Sequence, residues 1–459
     1  MMTHHMAERG VRTGRRIVLL RLTLGLLGCD SLVDYTERDV VPPDPLNNAA
    51  GAQALYAGAI RSFGAAFAGD AGGTEGQALT SGMMADEWLL GDTFNTRLDY
   101  DGRNTALDNS TLLGVFRALQ TARLDGHRAI DAIVATGVTE AADARFGAMY
   151  NRIAMVFLMA GENYCSGITF SGVSEGNLSP GLQLTTAQMF DSATYYFDKA
   201  LATNAGTGNI NHSFATLGKA RVLLHRGTSS FAAAAALVAA IPNTLRVITE
   251  HSTANGGNEN GIFVFNTQNE RWILAHGEGT NGLAFRGAGD GTDPALADPR
   301  VPWKRDAGDL AFDNAFLMYD LTLYTARDNP AVVFKGEEAR LIEAEAALLG
   351  GDATLFLERL NGLRAGVAGL APLDDPGTAE GRVDLLFSER AFWTFSTATR
   401  LGDLRRLIRQ YGRAANTVFP IGNYPRGGTY GNDVNFPVPD QEKQNPNYSD
   451  GISCIDRNA

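Results

Sequence analysis

Polar and charged side chains crowd residues 83–103, a loop-like stretch with a single tryptophan at its centre. Its members are Asp86, Glu87, Trp88, Asp92, Asn95, Arg97, Asp99, Asp101 and Arg103. Sugar hydroxyls need neighbouring acceptors and donors, and the apolar face of a sugar ring stacks on an aromatic side chain. We therefore predict a sugar-binding site whose contacts include Asp86, Trp88, Asp92, Asn95 and Arg97. The alternative is a tryptophan packed beneath a loop, with its carboxylate neighbours in solvent.

A second polar region, residues 248–329, is rich in Gly, Asn and Asp. Loops this long inside a compact protein usually serve function. We expect short strands at 263–265 and 271–274, and further ligand contacts from Trp272 and Asn281. Additional candidates to face a ligand are Asn266, Gln268, Asn269, Arg271 and Arg286. For Trp272, as for Trp303, the alternative is a structural role.

Catalytic motifs are scarce, since the sequence contains no GxSxG, HExxH or Walker A pattern. The histidines are too scattered to suggest a zinc site. Residues 289–293 fit a calcium loop only incompletely, and a solvated turn explains them. A glycosidase needs two carboxylates at a defined separation, which Asp86, Glu87 and Asp92 could supply. We predict no enzyme, no cofactor and no metal site.

The elements that must position these residues are mostly helical. Apolar periodicity predicts helices at 49–68, 107–136, 141–164, 189–202, 214–226, 231–240, 336–349 and 353–364. A capping box, Thr185 to Gln188, precedes the fourth. One longer amphipathic helix is predicted over 383–411, followed by an irregular, proline-rich tail. The expected class is mostly α, with tetratricopeptide-like helix pairs, long irregular loops and few short strands.

The N-terminus has the pattern of an export signal. A basic start leads into an apolar run, residues 17–27, which is too short to span a bilayer. Leu26-Leu27-Gly28-Cys29 then matches a lipobox, which predicts lipid on Cys29. We expect a signal peptide at 1–28 and a tether at 29–48. A plain secretory signal with a chance cysteine is the alternative.

Charge and cysteine content narrow the possible partners. The formal charge is −12, and residues 1–28 hold five Arg and one Glu, so the remaining residues carry −16. Such an acidic chain is a poor candidate for nucleic-acid binding.

Once Cys29 is assigned to lipid, Cys165 and Cys454 remain. Export makes a disulfide between them possible, and two free thiols are the alternative.

Near the C-terminus, five short motifs follow one another in a fixed order. They are Ser388-Glu389-Arg390, Arg400-Leu401-Gly402-Asp403-Leu404-Arg405-Arg406, Val418-Phe419-Pro420-Ile421-Gly422, Asn435-Phe436-Pro437-Val438-Pro439 and Asn445-Pro446-Asn447. The ordered set resembles the SusD/RagB family of nutrient-capturing surface lipoproteins of Gram-negative bacteria. Many relatives carry an acidic residue and a glycine between the first two motifs, where this chain has residues 392–399. We therefore do not infer the ligand of this chain from the ligands of those relatives.

The resemblance implies a single SusD-like body over residues 49–459. It would consist of a helical block (49–247), a loop-rich segment (248–329) and a helical and irregular C-terminal part (330–459). It places the ligand site in loops, including the region just after the first helix. It also implies an outer-membrane, cell-surface location and a partner, a SusC-like TonB-dependent β-barrel transporter beneath the lipoprotein.

The resulting hypothesis is a lipid-anchored protein that captures an oligosaccharide or another nutrient and hands it to the barrel without a covalent step. A surface helical-repeat scaffold is the second hypothesis, and it predicts that the loop tryptophans are buried or dispensable. A hydrolase acting on the same glycans is the third. It predicts turnover that is lost in Asp86→Asn or Glu87→Gln.

Overall fold

The structure is a computed structural model that describes residues 48–174, 177–203 and 208–457. The predicted signal peptide, Cys29 and residues 29–47 of the predicted tether lie outside these residues. No helix within the described ranges is long and apolar enough to cross a bilayer. The described residues from 48 to 457 belong to one compact unit.

Fourteen α-helices occur in the described residues, which confirms the mostly α class. They are α1 (Ala49–Ala68), α2 (Gly76–Ala85), α3 (Asn95–Asp101), α4 (Ser110–Ala135), α5 (Ala144–Asn163), α6 (Thr186–Thr203), α7 (Ile210–His225), α8 (Phe231–Val238), α9 (Gly261–Phe263), α10 (Glu337–Leu349), α11 (Ala353–Arg364), α12 (Ala379–Trp393), α13 (Arg400–Tyr411) and α14 (Ala415–Val418).

Ten short strands in the same ranges form five antiparallel pairs: β1 with β7, β2 with β5, β3 with β4, β6 with β10, and β8 with β9. They are β1 (Trp88–Leu90), β2 (Ile168–Thr169), β3 (Gly172–Ser174), β4 (Asn177–Ser179), β5 (Gln183–Leu184), β6 (Arg246–Thr249), β7 (Trp272–Leu274), β8 (Trp303–Lys304), β9 (Asp320–Leu321) and β10 (Ala331–Lys335). The strand predicted at 271–274 is thus confirmed as β7.

Helices pack in pairs, namely α1 with α4, α5 with α6, α7 with α8, and α10 with α11, and the helices predicted at 107–136 and 141–164 also pack against each other, as α4 and α5. Contacts of α6 with α7 and of α8 with α10 join the last three pairs into one array. Gly218 on α7 lies where a Cβ atom would collide with the ring of Phe197 on α6. The missing side chain therefore lets these two helices approach closely.

Helix starts follow local signals in the sequence. The backbone N–H of Thr185 donates to Oε1 of Gln188 at 2.8 Å, and the N–H of Gln188 donates to Oγ1 of Thr185 at 3.3 Å. This reciprocal pair is the predicted capping box at the start of α6. In the same way, the Asn48 side chain accepts from the N–H of Gly51 at 3.0 Å and starts α1.

The single helix predicted over 383–411 is wrong, because the structure has two helices, α12 and α13, joined by a turn. Within the turn, Ser396 and Ala398 adopt φ values of 61° and 58°, which a right-handed helix cannot accommodate. The Thr394 hydroxyl donates to the carbonyl of Arg390 at 2.8 Å. Such local bonds from Ser and Thr side chains compete with continued helix.

The strand predicted at 263–265 is also wrong. This segment is helical, formed by α9 and a wider turn, Val264–Gln268. Oδ1 of Asn260 accepts from the N–H groups of Ile262 and Phe263, at 3.0 and 3.3 Å. The N-terminal cap outweighs the strand preference of the aromatic and β-branched side chains.

Buried ion pairs join α13 to α10 and α12. Asp403 accepts two bonds from Arg390, at 2.8 and 3.0 Å, and one from Arg406 at 3.0 Å. Arg406 also pairs with Glu345, which accepts a 2.5 Å bond from the Tyr411 hydroxyl. The four charged side chains are at most 3% exposed. Burial alone would raise the pKa of Asp403, but the two arginines outweigh burial and hold the pKa below its ordinary value.

Two further arginines tie α13 to distant parts of the chain. Arg400 forms two bonds with the Asp86 carboxylate, at 2.7 and 2.9 Å. Arg405 donates to three carbonyls at the end of α5. They belong to Gly161, Glu162 and Tyr164, at 3.0, 2.6 and 3.1 Å. A cation here satisfies carbonyls that lack helical partners and complements the helix dipole.

The C-terminal tail is irregular, as predicted, apart from α14 and a short 3₁₀ segment, Asp440–Gln444. The tail runs along the end of α5, where Tyr164 and Phe436 form a parallel bridge. The next residue, Cys165, is paired with Cys454 as a disulfide, with 4.8 Å between the Cα atoms. This bond joins the tail to the end of α5.

Replacing the shared carboxylate tests the buried network. Asp403→Asn should lower the free energy of unfolding by about 3–5 kcal/mol, because Arg390 loses the carboxylate that accepts two of its bonds and Arg406 loses one of its two buried counter-charges. Denaturant titration measures this loss. Asp384→Asn on α12 is the matched control. Its side chain is 66% exposed and pairs with Arg413, so its loss should cost about 1 kcal/mol or less. Equally small losses in both variants would contradict the proposed importance of the network.

Candidate ligand-binding site

Asp92 is a fully buried carboxylate that organises the loop after β1. Its Oδ2 atom pairs with Arg97 and, at 2.6 Å, with Arg271, which precedes β7. Its Oδ1 atom accepts from the backbone N–H of Phe94 at 3.2 Å. Arg97 is held from its other side by Glu75, at 2.6 Å. Asp92 therefore fixes both arginines and the backbone of Phe94.

Two exposed phenylalanines flank Arg271. Phe94 is 53% exposed and Phe312 is 45% exposed. The Cζ atom of Arg271 lies 3.7 Å from the ring centre of Phe312 and 5.5 Å from that of Phe94. We call Phe94, Arg271 and Phe312 the aromatic ridge. The ridge sets hydrogen-bond donors beside apolar ring faces, which suits a ligand with a hydroxylated rim and an apolar face.

Phe312 is carried by a hairpin, residues 310–317, whose ends form an antiparallel bridge. The hairpin is fixed to the rest of the site by two backbone bonds. The N–H of Phe312 donates to the carbonyl of Glu270 at 2.8 Å, and the N–H of Asp313 donates to that of Gly91 at 3.0 Å. The exposed ring therefore stands on a fixed base.

The same hairpin forms one wall of a cleft of about 400 Å³. The lining includes Leu89, His276, Glu278, Arg286, Phe316, Leu317, Tyr319 and Pro425. Three polar atoms of this lining have no hydrogen-bond partner within the described residues: Nδ1 of His276, Oε1 of Glu278 and Nε of Arg286. Buried polar groups are normally paired, so these three atoms mark candidate positions for hydrogen bonds to a hydroxylated ligand.

Burial sets the protonation of the cleft. It raises the pKa of Glu278 well above its ordinary value, and the charges of Asp101 and Asp86 add to the effect. It lowers the pKa of His276, helped by the nearby Arg286. The raised pKa favours the protonated form of Glu278 and the lowered pKa favours the neutral form of His276, and these forms offer both donors and acceptors, which suits neutral hydroxyls. Across the described ranges, no group of three or more His, Cys, Asp or Glu side chains could hold a metal ion.

The structure places the predicted tryptophans in the core. Trp88 and Trp272 are 0% exposed, on the paired strands β1 and β7. A ring without an exposed face cannot stack on a ligand in this conformation, so the predicted contact is corrected to a packing role. Trp88 packs against the ring of Phe395, 5.5 Å away. Trp303 is also buried, and its indole N–H donates to the carbonyl of Arg286 at 2.9 Å.

The side chains of Asp86 and Asn281 likewise form hydrogen bonds to other parts of the protein. Besides its pair with Arg400, Asp86 accepts from the N–H of Leu283 at 3.1 Å. The amide of Asn281 donates to two carbonyls beside α14, at 2.8 and 3.0 Å. Both side chains therefore fix loops. For Asp86, which is buried, the predicted ligand contact is corrected to this role, whereas the contact predicted for the half-buried Asn281 stays a prediction.

Asp92, Arg97 and Asn95 are brought together with the ridge. Asp92 is buried and pairs with both Arg97 and Arg271 of the ridge. Asn95 is exposed next to Phe94. Residues 83–103 are not one open loop, because they include β1 and α3. Among the seven predicted ligand-binding residues, Asn95 is the one whose side chain is exposed.

Sequence reasoning missed Phe94, Phe312 and Phe316. A usable signal exists, because Phe94 and Phe312 are each followed directly by Asn or Asp. Turn-forming neighbours keep such a ring near the surface. Arg271 and Arg286, which were candidates from the sequence, do lie at the ridge and in the cleft.

Glu87, beside Asp86, gives the region a pH dependence. Burial raises its pKa to about 8 from 4.5, and its Oε1 accepts from the N–H of Ser396 at 3.1 Å. Because the folded-state pKa exceeds the unfolded one, the stabilisation is complete below pH 4.5 and is lost as the pH rises through 8. One such proton changes the free energy of unfolding by at most about 1.4 kcal/mol per pH unit.

Glu87→Gln should therefore reduce the loss of stability between about pH 5 and pH 8. Denaturant titrations at several pH values measure the slope. Glu358→Gln, at an exposed position on α11, is the control and should keep the slope of the unmodified protein. A Glu87→Gln variant with an unchanged slope would show that this carboxyl is ionised in the fold.

No protein-family model matches the sequence, and no curated protein does. Solved structures do match. A SusD superfamily protein from Parabacteroides distasonis is 13% identical, with a TM-score of 0.62, and the match covers 89% of this chain and 99% of that chain. A SusD superfamily protein from Bacteroides vulgatus is 15% identical, with a TM-score of 0.57 and coverage of 85% and 96%.

Surface glycan-binding protein A from Bacteroides thetaiotaomicron, in complex with laminarihexaose, is also similar. It is 13% identical, with a TM-score of 0.58, and the match covers 86% of this chain and 97% of that chain. At these identities the likeness is one of fold. It confirms the SusD-like fold that the C-terminal motifs led us to expect.

Proposed function

We propose that this protein, which has the fold of the SusD superfamily, binds oligosaccharides at the aromatic ridge and the adjoining cleft. The observation that carries the proposal is the set of unpaired polar atoms of His276, Glu278 and Arg286 beside exposed aromatic faces. Sugars need both features, since their hydroxyls form hydrogen bonds while their ring faces stack. The glycan complex of a structural neighbour supports the same ligand class.

We further propose that capture at the cell surface precedes transfer to a SusC-like TonB-dependent β-barrel in the outer membrane. Removal of residues 1–28 and lipid on Cys29 would anchor the protein, with residues 29–48 as its tether. The body, residues 49–459, would meet the barrel through its helix pairs and keep the ligand site in its loops. The resemblance of the C-terminal motifs and the shared fold support this arrangement.

Two other functions make different demands on the same residues. Burial of Trp88 and Trp272 agrees with a pure scaffold, but a scaffold has no use for the exposed ridge or the unpaired cleft atoms. A hydrolase would need accessible carboxylates, whereas Asp86 and Glu87 are buried and bonded to α13 and to the turn before it. Binding without turnover fits these observations best.

Truncating the two exposed rings tests the site. Phe94→Ala combined with Phe312→Ala should weaken binding of a neutral oligosaccharide by about tenfold or more, because each aromatic contact is worth about 0.5–1.5 kcal/mol beyond its buried area. Calorimetry against a panel of neutral oligosaccharides that includes laminarihexaose measures the affinity. Both rings are exposed, so the melting temperature should hardly change.

Tyr195→Ala is the matched control, because this aromatic on α6 is 56% exposed and lies outside the ridge and the cleft. It should bind as the unmodified protein does. Equal affinities in all variants would place the ligand elsewhere. Failure of the unmodified protein to bind any of the panel would overturn the proposed ligand class, and release of new reducing ends would point to the hydrolase.

A further inference from the structure

A second and larger cleft, of about 700 Å³, lies between α1, α5, α7 and β6. It shares no lining residue with the cleft beside the ridge. Its volume falls in the range of about 300–1,000 Å³ that is usual for small-molecule sites. The site proposed above makes no use of it.

Two arginines in this cleft differ from most arginines of the protein. Arg61 is exposed and Arg152 is half-buried, and within the described residues neither has a carboxylate at ion-pair distance. By contrast, Arg246 at the same cleft is held by both carboxylate oxygens of Glu337, at 2.8 and 2.6 Å. Glu250 also lines the cleft and forms an ion pair with neither arginine, although its charge raises the pKa of Arg152.

Burial of the Arg152 guanidinium is only partly compensated, by the ring of Phe63, whose centre is 5.6 Å from Cζ, and by the charge of Glu250. The Nη1 of Arg152 donates to the carbonyl of Ala148 in its own helix at 2.9 Å, while its Nε has no partner in the described residues. Burial lowers its pKa to about 10 from 12.5. A desolvated guanidinium is stabilised most by a carboxylate that accepts two parallel hydrogen bonds. The cleft therefore favours an anionic ligand, although the residues after 28 carry a formal net charge of −16.

The remaining polar groups of the cleft suit hydroxyls. Tyr56 is half-buried, so part of its ring is accessible. Asn211 and Asn258 add amide groups, each both a donor and an acceptor. His251 lies at the same wall, and burial lowers its pKa, so it is neutral at pH 7. An aromatic face, amides and a pair of cations are together complementary to a sugar that carries a carboxylate.

We propose that this cleft is a second ligand site, which takes acidic sugars of the uronate class. Arg61 and Arg152 would hold the carboxylate, Asn211 and Asn258 the hydroxyls, and Tyr56 the ring face. The inference extends the proposed sugar binding to a second site and a second class of sugar. It is independent of the ridge, because the two sites have no residue in common.

Calorimetry with trigalacturonate tests the proposal. Arg61→Gln and Arg152→Gln should each weaken binding by about tenfold or more, since each removes charge-assisted hydrogen bonds. Affinity should also fall as salt is raised. Arg117→Gln, at an exposed position on α4, makes the same charge change outside the cleft and should have no effect. Because Arg61 is exposed, its variant keeps the test valid even if Arg152→Gln folds poorly.

The outcomes separate this site from the ridge. Loss of trigalacturonate binding in the arginine variants, with the Phe94→Ala and Phe312→Ala double variant unaffected, supports the second site even if no neutral sugar binds. The reverse pattern overturns the second site and leaves sugar binding at the ridge intact. Absence of trigalacturonate binding overturns it as well. Equally tight binding of hexaglutamate at the same arginines would assign the cleft to acidic peptides and overturn the sugar class.

Discussion

The buried carboxylate of Asp403 is the constraint on which the C-terminal half of the fold depends. It lies between Arg390 and Arg406, and Arg406 continues to Glu345, so α10, α12 and α13 share one set of charges. Removing Asp403 deprives Arg390 of the carboxylate that accepts two of its bonds and leaves Arg406 with Glu345 alone, which costs more than an exposed pair can contribute. The network therefore fixes the three helices relative to one another.

The helix α13 also connects this network to the face of the proposed ligand site. Arg400, at the start of α13, holds Asp86, which directly precedes the segment that leads into β1. After β1 the arrangement is similar but smaller, because the single buried carboxylate of Asp92 pairs with Arg97 and Arg271. Two buried acids thus connect the helical scaffold to an exposed row of rings, and they explain how a loop-built site can be rigid.

What the sequence could predict was local. The capping box of α6 and the bounds of α1 depend on residues a few positions apart, and both were found. The break between α12 and α13 was missed because apolar residues keep helical spacing across a turn set by threonine and by positive φ values. The roles of Trp88 and Trp272 were missed because their burial depends on pairing between strands far apart in the chain. The ordered set of C-terminal motifs led to the fold, but the charges of Arg390, Asp403 and Arg406 within it serve packing, so they carry no information on the ligand.

Hydrogen exchange with and without a bound neutral oligosaccharide tests the central claim, that a rigid buried network presents an exposed ligand face. We expect slower exchange on binding in the hairpin 310–317 and in residues 91–95. We expect no change in α13, whose amides are already protected by helical hydrogen bonds and burial. Protection that appears in α13 and is absent from the hairpin would contradict the account.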